Sequence, residues 1–217
     1  MTAWIDQALW CLDRQQPAVL ISVASVRGSA PREAGAKMLV SAGHQWLTIG
    51  GGQLEWQATR LAREHLGNAD HPDRWVRDMP LAASAGQCCG GLVTLLFERL
   101  RDTDRAWLRD ACDRLRRQES FEREVGGGGP GVTPWVRLQA PAAASHPANR
   151  FQAARLLDPS DPRGCPVLTE PLRPDSLQIL VFGAGHVGHA LVSILGTLPC
   201  RVTWVDARED LFPDVVA

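Results

Sequence analysis

The run from Leu177 to Asp206 narrows the choice of fold more than any other stretch of the chain. Leu177–Phe182 (LQILVF) reads as a buried strand. It passes directly into Gly183-Ala184-Gly185-His186-Val187-Gly188, then an apolar helix to about Leu198, then Arg201–Val205, closed by Asp206. Strand, GxGxxG turn, helix, strand and terminal carboxylate in this order predict a Rossmann-like parallel βαβ unit. Gly183 permits the tight turn, Gly185 lets a pyrophosphate approach the backbone, Gly188 lets helix and strand pack closely, and Asp206 stands where a carboxylate binds a ribose 2′-hydroxyl. These residues are the candidate set for NAD or another nucleotide. Too little sequence follows Asp206, Pro213 included, for a third strand. The unit is therefore expected to be incomplete, either part of a longer protein or completed by association, and its open edge favours a homo-oligomer.

Composition removes several classes of function. Lys+Arg number 23 against 24 Asp+Glu, a formal net charge of -1 that argues against a nucleic-acid or polybasic membrane-surface binder. The longest apolar stretch, Ile179–Leu198, is broken by histidines and glycines, so no membrane span is expected. Asp6 and Asp13 stand where a signal peptide would be basic and then apolar, which places the protein in the cytoplasm. Its 6 cysteines lack a disulfide-framework spacing and are expected to be reduced. There is no Tyr to act as an acid or base. Lys37 is the sole lysine, against a background that uses arginine; either chance or a need for a compact ammonium accounts for it.

Upstream of residue 174 the pattern is that of an N-terminal mixed-sheet α/β domain. Trp4, Ala8, Leu9 and Leu12 form a helical stripe within Thr2–Gln15, and Ala18–Val26 (AVLISVASV) reads as a strand buried on both faces. Ala36–Val40 and Gln45–Ile49 predict a hairpin. Gln53–Leu66 is a helix burying Leu54, Ala58, Leu61 and His65, and Gly67 stops it. Arg74–Met79 and Leu92–Leu100 are strands, Asp102–Gln118 is a helix, and Gly126–Gly131 is a turn before a strand at Val132–Leu138. The Pro-rich patch Pro159–Pro174 is read as the separator between residues 1–174 and the βαβ unit of residues 175–217.

Three loops carry the chemistry. Gly28-Ser29-Ala30-Pro31-Arg32-Glu33-Ala34-Gly35 with Lys37 offers two cations, a hydroxyl and open amides to an anion such as a phosphate. Gly50, Gly51 and Gly52 lead into a helix whose N-terminus also favours anions. Glu55 in its first turn either caps that helix or hydrogen-bonds a polar ring such as a pterin. Gly86-Gln87-Cys88-Cys89-Gly90-Gly91 places two thiols among glycines, where the backbone can turn sharply. Adjacent thiols cannot chelate as CxxC does, but one can face a cleft, bind a soft metal or carry sulfur. The bland reading is a pair of small core residues beside a turn.

Together, Gly28–Arg32 with Gly35–Met38, Ile49–Gly52 with Leu54-Glu55, Gly86–Gly91 and Phe182–Gly188 with Val205-Asp206 resemble the XdhC/CoxI family, accessory proteins of xanthine dehydrogenases and related molybdenum hydroxylases. The resemblance implies a cytoplasmic chaperone rather than an enzyme. It would bind molybdenum cofactor (molybdopterin), protect it while a cysteine desulfurase helps to install the sulfido ligand, and insert it into the apo-hydroxylase. It further suits Ser29, Arg32, Lys37 and the glycine loops to the phosphate, Gln87 or Glu55 to the pterin, Cys88 or Cys89 to the metal-dithiolene, and Gly90 to the cofactor beside them. The alternative is an NAD-dependent oxidoreductase working through Gly183, Gly185, Gly188 and Asp206.

Overall fold

The computed structural model describes residues 3–68, 70–81, 90–127, 132–141, 155–157, 167–174, 177–198 and 200–213. The chain divides into two compact units, Thr2–Leu172 and Arg173–Ala217. Among the described residues no helix is long and apolar enough to cross a membrane.

The first unit is α/β with antiparallel sheets. β1 (Ala18–Arg27), β2 (Lys37–Ser41), β3 (Gln45–Leu47), β4 (Arg74–Pro80) and β5 (Leu92–Arg99) form one sheet in the order β3-β2-β1-β5-β4. β1 is apolar without alternation because both its faces are covered. Val19, Ile21 and Val23, with Met38, Val40, Leu95 and Phe97, pack under α2 (Gly52–Leu66). Ala18, Leu20 and Leu39 face α1 (Ala3–Asp13) and α3 (Arg105–Arg116). The buried stripe of α2 is Leu54, Ala58, Thr59 and Ala62 rather than one running through Leu61 and His65, which are half-buried. The Thr59 hydroxyl donates to Gln45 Oε1 at 3.0 Å, turning that side of the helix toward β3. His65 instead stacks on Trp75 with ring centroids 3.8 Å apart.

A second antiparallel sheet has the order β7-β6-β9-β8, from β6 (Phe121–Gly126), β7 (Trp135–Gln139), β8 (Arg155–Leu157) and β9 (Val167–Leu172). β6 pairs with β7 as a hairpin, although residues 128–131 of the expected turn lie outside the described residues. β9 is a strand that the reading of residues 159–174 as a Pro-rich patch did not include. Among the described residues β8 pairs with Val167–Thr169, and Pro171 lies opposite Glu122 of β6.

Between the two sheets lies a cluster of buried charge. Arg123 on β6, fully buried, donates to Glu170 on β9 at 2.7 Å and to Glu98 on β5. Lys37 on β2 donates to Glu170 and, at 3.2 Å, to the Ser22 hydroxyl. Arg74 on β4 pairs with Glu98 at 3.4 Å and donates to Gly126 O at 2.6 Å. Trp107 and Trp4 lie against the Arg123 guanidinium, with ring centroids 4.6 and 5.7 Å away. Burial opposes the charge on Glu170, but Lys37 and Arg123 outweigh it and hold the carboxyl below the usual range. Burial likewise opposes the charge on Arg123, and Glu98 and Glu170 overcome it and raise its pKa.

The second unit is a strand, helix and parallel strand. β10 (Gln178–Phe182) and β11 (Arg201–Val205) pair from Gln178↔Arg201 to Phe182↔Val205, with α4 (His186–Leu195) between them in sequence. Val181, Val192 and Leu195 are its buried core, joined by half-buried Ile179, Val202 and Trp204. The alternate residues of β10 face outward, Leu180 at 62% and Phe182 at 74% exposed, and α4 leaves Val187, Leu191 and Ile194 exposed as well.

Candidate functional site

The structure brings together the three glycine loops of the first unit. Gly91 packs against the loop that opens at Gly28: a Cβ on Gly91 would lie 2.2 Å from Ser29 O and 2.8 Å from Arg27 O, and one on Gly28 would lie 3.2 Å from Gly91 Cα. Contacts that close exclude any side chain at Gly91. The other end of the same loop meets the Gly50 turn, where a Cβ on Gly50 would lie 2.5 Å from Pro31 Cγ and 3.4 Å from Arg32 Cγ. Gly28, Gly35, Gly50, Gly51 and Gly52 all have positive φ, between 61° and 122°. The segment 28–35 is thus clamped between Gly90-Gly91 and Gly50–Gly52. Ser29 is exposed, and Arg32 keeps a side chain 39% exposed, paired with the more exposed Glu33 at 3.6 Å. Such an exposed pair holds little energy, so the Arg32 guanidinium can turn to another anion.

Two expected ligand groups are engaged within the protein. The Lys37 ammonium lies in the buried charge cluster rather than at the loop surface, because its register on β2 sets it opposite Ser22. The need for a compact ammonium is met there, between a hydroxyl and a carboxylate. Glu55 ties the glycine turn together: its carboxylate accepts hydrogen bonds from Gln45 Nε2 at 2.6 Å, the Thr48 hydroxyl, Ile49 N at 3.2 Å and Gly51 N at 3.1 Å. Burial alone would raise its pKa, but these hydrogen bonds outweigh it and hold the carboxyl below its usual value. The bond from Gly51 N is one to the N-cap amide of α2. Gly50 N donates to the Thr48 hydroxyl at 3.0 Å, so the amides of Gly50 and Gly51 serve the turn. Gly51, as N-cap of α2, has no side chain with which to cap the first turn.

Beside this turn an open depression of about 390 Å³ is lined by Gly52, Gln53 and Trp56. Trp56 is 61% exposed. Its position two residues from both Leu54 and Ala58 sets it off the buried stripe of α2, the one signal of its exposure in the sequence.

Gln87, Cys88 and Cys89 lie outside the described residues; Gly90, directly bonded to Cys89, is exposed with open space about it. Cys11 and Cys112 are buried free thiols; burial pushes Cys11 up to about 11, and burial with Asp6 raises Cys112, which disfavours the thiolate at both. Among the described residues no three His, Cys, Asp or Glu side chains are grouped to hold a metal.

In the second unit Gly183 has φ 102°, and a Cβ on Gly188 would lie 2.0 Å from Gly183 O, as expected for the turn and for the close helix–strand packing. The would-be Cβ positions of Gly183 and Gly185 meet open space. Asp206 accepts hydrogen bonds from Ala184 N at 2.6 Å and from Arg208, through N at 3.0 Å, Nε at 3.0 Å and Nη2 at 2.9 Å. Chiefly because of Arg208, its carboxyl is held far below the ordinary range.

Residues 11–72 match the sequence profile of the XdhC and CoxI family, a span that includes the loops at Gly28–Gly35 and Gly50–Gly52. No curated protein matches the sequence. The crystal structure of a xanthine dehydrogenase from Bacillus halodurans is similar in fold, with a TM-score of 0.65 at 21% identity; the match covers 95% of this chain and 63% of that one.

Proposed function

Starting from a chain whose residues 11–72 carry an XdhC and CoxI domain, we propose that this protein is an accessory factor for a xanthine dehydrogenase or a related molybdenum hydroxylase. It binds molybdenum cofactor as cargo, shields it while the sulfido ligand is installed with a cysteine desulfurase as partner, and delivers it to the apo-enzyme. The reading is supported above all by the junction of the three glycine loops, where Gly28 meets Gly91 and Gly50 meets Pro31. Each loop has a part to play. The exposed Ser29 hydroxyl and the Arg32 guanidinium suit the cofactor's phosphate. Gly90 and Gly91 directly follow Gln87-Cys88-Cys89 in the chain, where the thiolate of Cys88 or Cys89 suits the soft metal-dithiolene centre. Lys37 and Glu55 act from behind, one holding the two sheets together and the other fixing the glycine turn. The oxidoreductase alternative would require Asp206 to exchange Ala184 and Arg208 for ribose hydroxyls; a thermal shift with NADH tests it.

The main test is the molybdenum and pterin retained through gel filtration after mixing with molybdenum cofactor. Wild type should retain both near one equivalent, and the Cys88→Ala/Cys89→Ala double variant should lose them. A wild-type protein that retains neither would end the reading.

A further inference from the structure

Resting on the cargo reading above, we infer that Trp56 is the platform on which the flat pterin ring system of the cofactor stacks. Three observations carry this. A tryptophan is costly to leave in water, yet Trp56 is 61% exposed on a helix whose other large apolar residue at this end, Leu54, is buried. Its indole lines the open depression beside the glycine turn with Gly52 and Gln53. The Arg60 guanidinium also lies 5.6 Å from the ring centroid, with Glu64 3.3 Å from Arg60 one turn further along α2.

The depression shares Gly52 with the glycine turn that meets Pro31 and Arg32, so the aromatic platform adjoins the loop assigned to the phosphate. Gln53, on the same wall, offers both an amide donor and a carbonyl acceptor, the pair that the hydrogen-bonding edge of a pterin requires. A ligand with a planar, polar-edged ring and an anionic arm matches this arrangement. A simple phosphate would leave the tryptophan unused.

The test compares wild type, Trp56→Phe and Trp56→Ala as full-length protein. Each is titrated with molybdenum cofactor, the retained pterin is read after gel filtration, and the activation of the apo-hydroxylase is measured alongside. Because Trp56 is exposed, both variants should keep the wild-type unfolding temperature. Trp56→Phe should bind within about threefold of wild type, while Trp56→Ala should bind about tenfold more weakly, equivalent to about 1.4 kcal/mol. A Trp56→Ala protein that binds as wild type does would overturn the inference. If it also failed to activate the hydroxylase, Trp56 would belong to a docking surface for that enzyme instead. Wild-type protein that binds no pterin would fail the cargo reading itself, a result distinct from a variant effect.

Discussion

The two units handle burial in opposite ways. The Thr2–Leu172 unit covers both faces of its central strand and then seals charges inside, with Arg123, Glu98, Glu170, Lys37 and Arg74 all less than a tenth exposed. Among its described residues the Arg173–Ala217 unit buries Val181, Ala184, Val192 and Leu195 and leaves a larger apolar set, Leu180, Phe182, Val187 and Ile194 among them, in water. Local sequence marks β1, α2 and β5 of the first unit and the strand–turn–helix–strand order of the second. A closed core needs a second layer, and the described residues of the second unit supply only one side of the sheet.

That contrast can be broken most directly at Arg123. Arg123→Met leaves Glu98 and Glu170 buried with too little positive charge, and removing one partner of a buried pair costs about 3–5 kcal/mol. Denaturant unfolding of the first unit should show this loss. A near-neutral result would mean that water already reaches the cluster.

A sharper comparison comes from Gly188→Ala. The added methyl would sit 2.0 Å from Gly183 O, so α4 must move off β10. About 2 kcal/mol is expected from such overpacking, confined to the second unit. Hydrogen exchange should show lost protection over residues 178–205 while β1 and β5 keep theirs.

Acid should separate the units as well. Folding lowers the Glu170 pKa, so its contribution is fully present above the unfolded carboxyl value of about 4.3 and is lost as pH falls through the folded value. His65 adds a weaker effect at higher pH. Burial first, then His71 and Arg99, lower its pKa against the opposing pull of Glu64, so stability falls as pH drops below about 6.5. His65→Gln should flatten the first unit's unfolding midpoint between pH 7 and 5.5; an unchanged slope there would discount the histidine.

The smallest effect is expected at the open face. Phe182→Ser replaces a side chain that is 74% exposed and should change the stability of the second unit by no more than about 0.5 kcal/mol. A loss of 2 kcal/mol or more by hydrogen exchange would mean that the face is covered in solution.

What the sequence disclosed follows the same division. β1, α2, β5 and the βαβ order are visible in period and punctuation, because each is decided by its own residues. β6 and β9 are not. FEREVG and VLTEPL place Arg123 and Glu170 at inward positions that a hydrophobic pattern assigns to solvent, and their partners stand 25 and 133 residues away along the chain, at Glu98 and Lys37. For the site, glycine runs mark the three loops, yet their meeting is a tertiary fact. Nothing within Gly28–Gly35 states that Gly91 lies against it. Lys37 and Glu55 show the limit most plainly, since the residue types that suit a ligand equally suit an internal partner.

The position of Lys37 gives the molecule an unusual chemical exterior. With its single lysine 6% exposed beneath two sheets, every other side-chain cation is an arginine. Reagents that acylate primary amines, whether a crosslinker or an acetyl donor, should find no reactive side chain on the folded protein. Reaction at Lys37 would therefore count molecules whose two sheets have come apart, making this residue a built-in reporter of opening in the first unit.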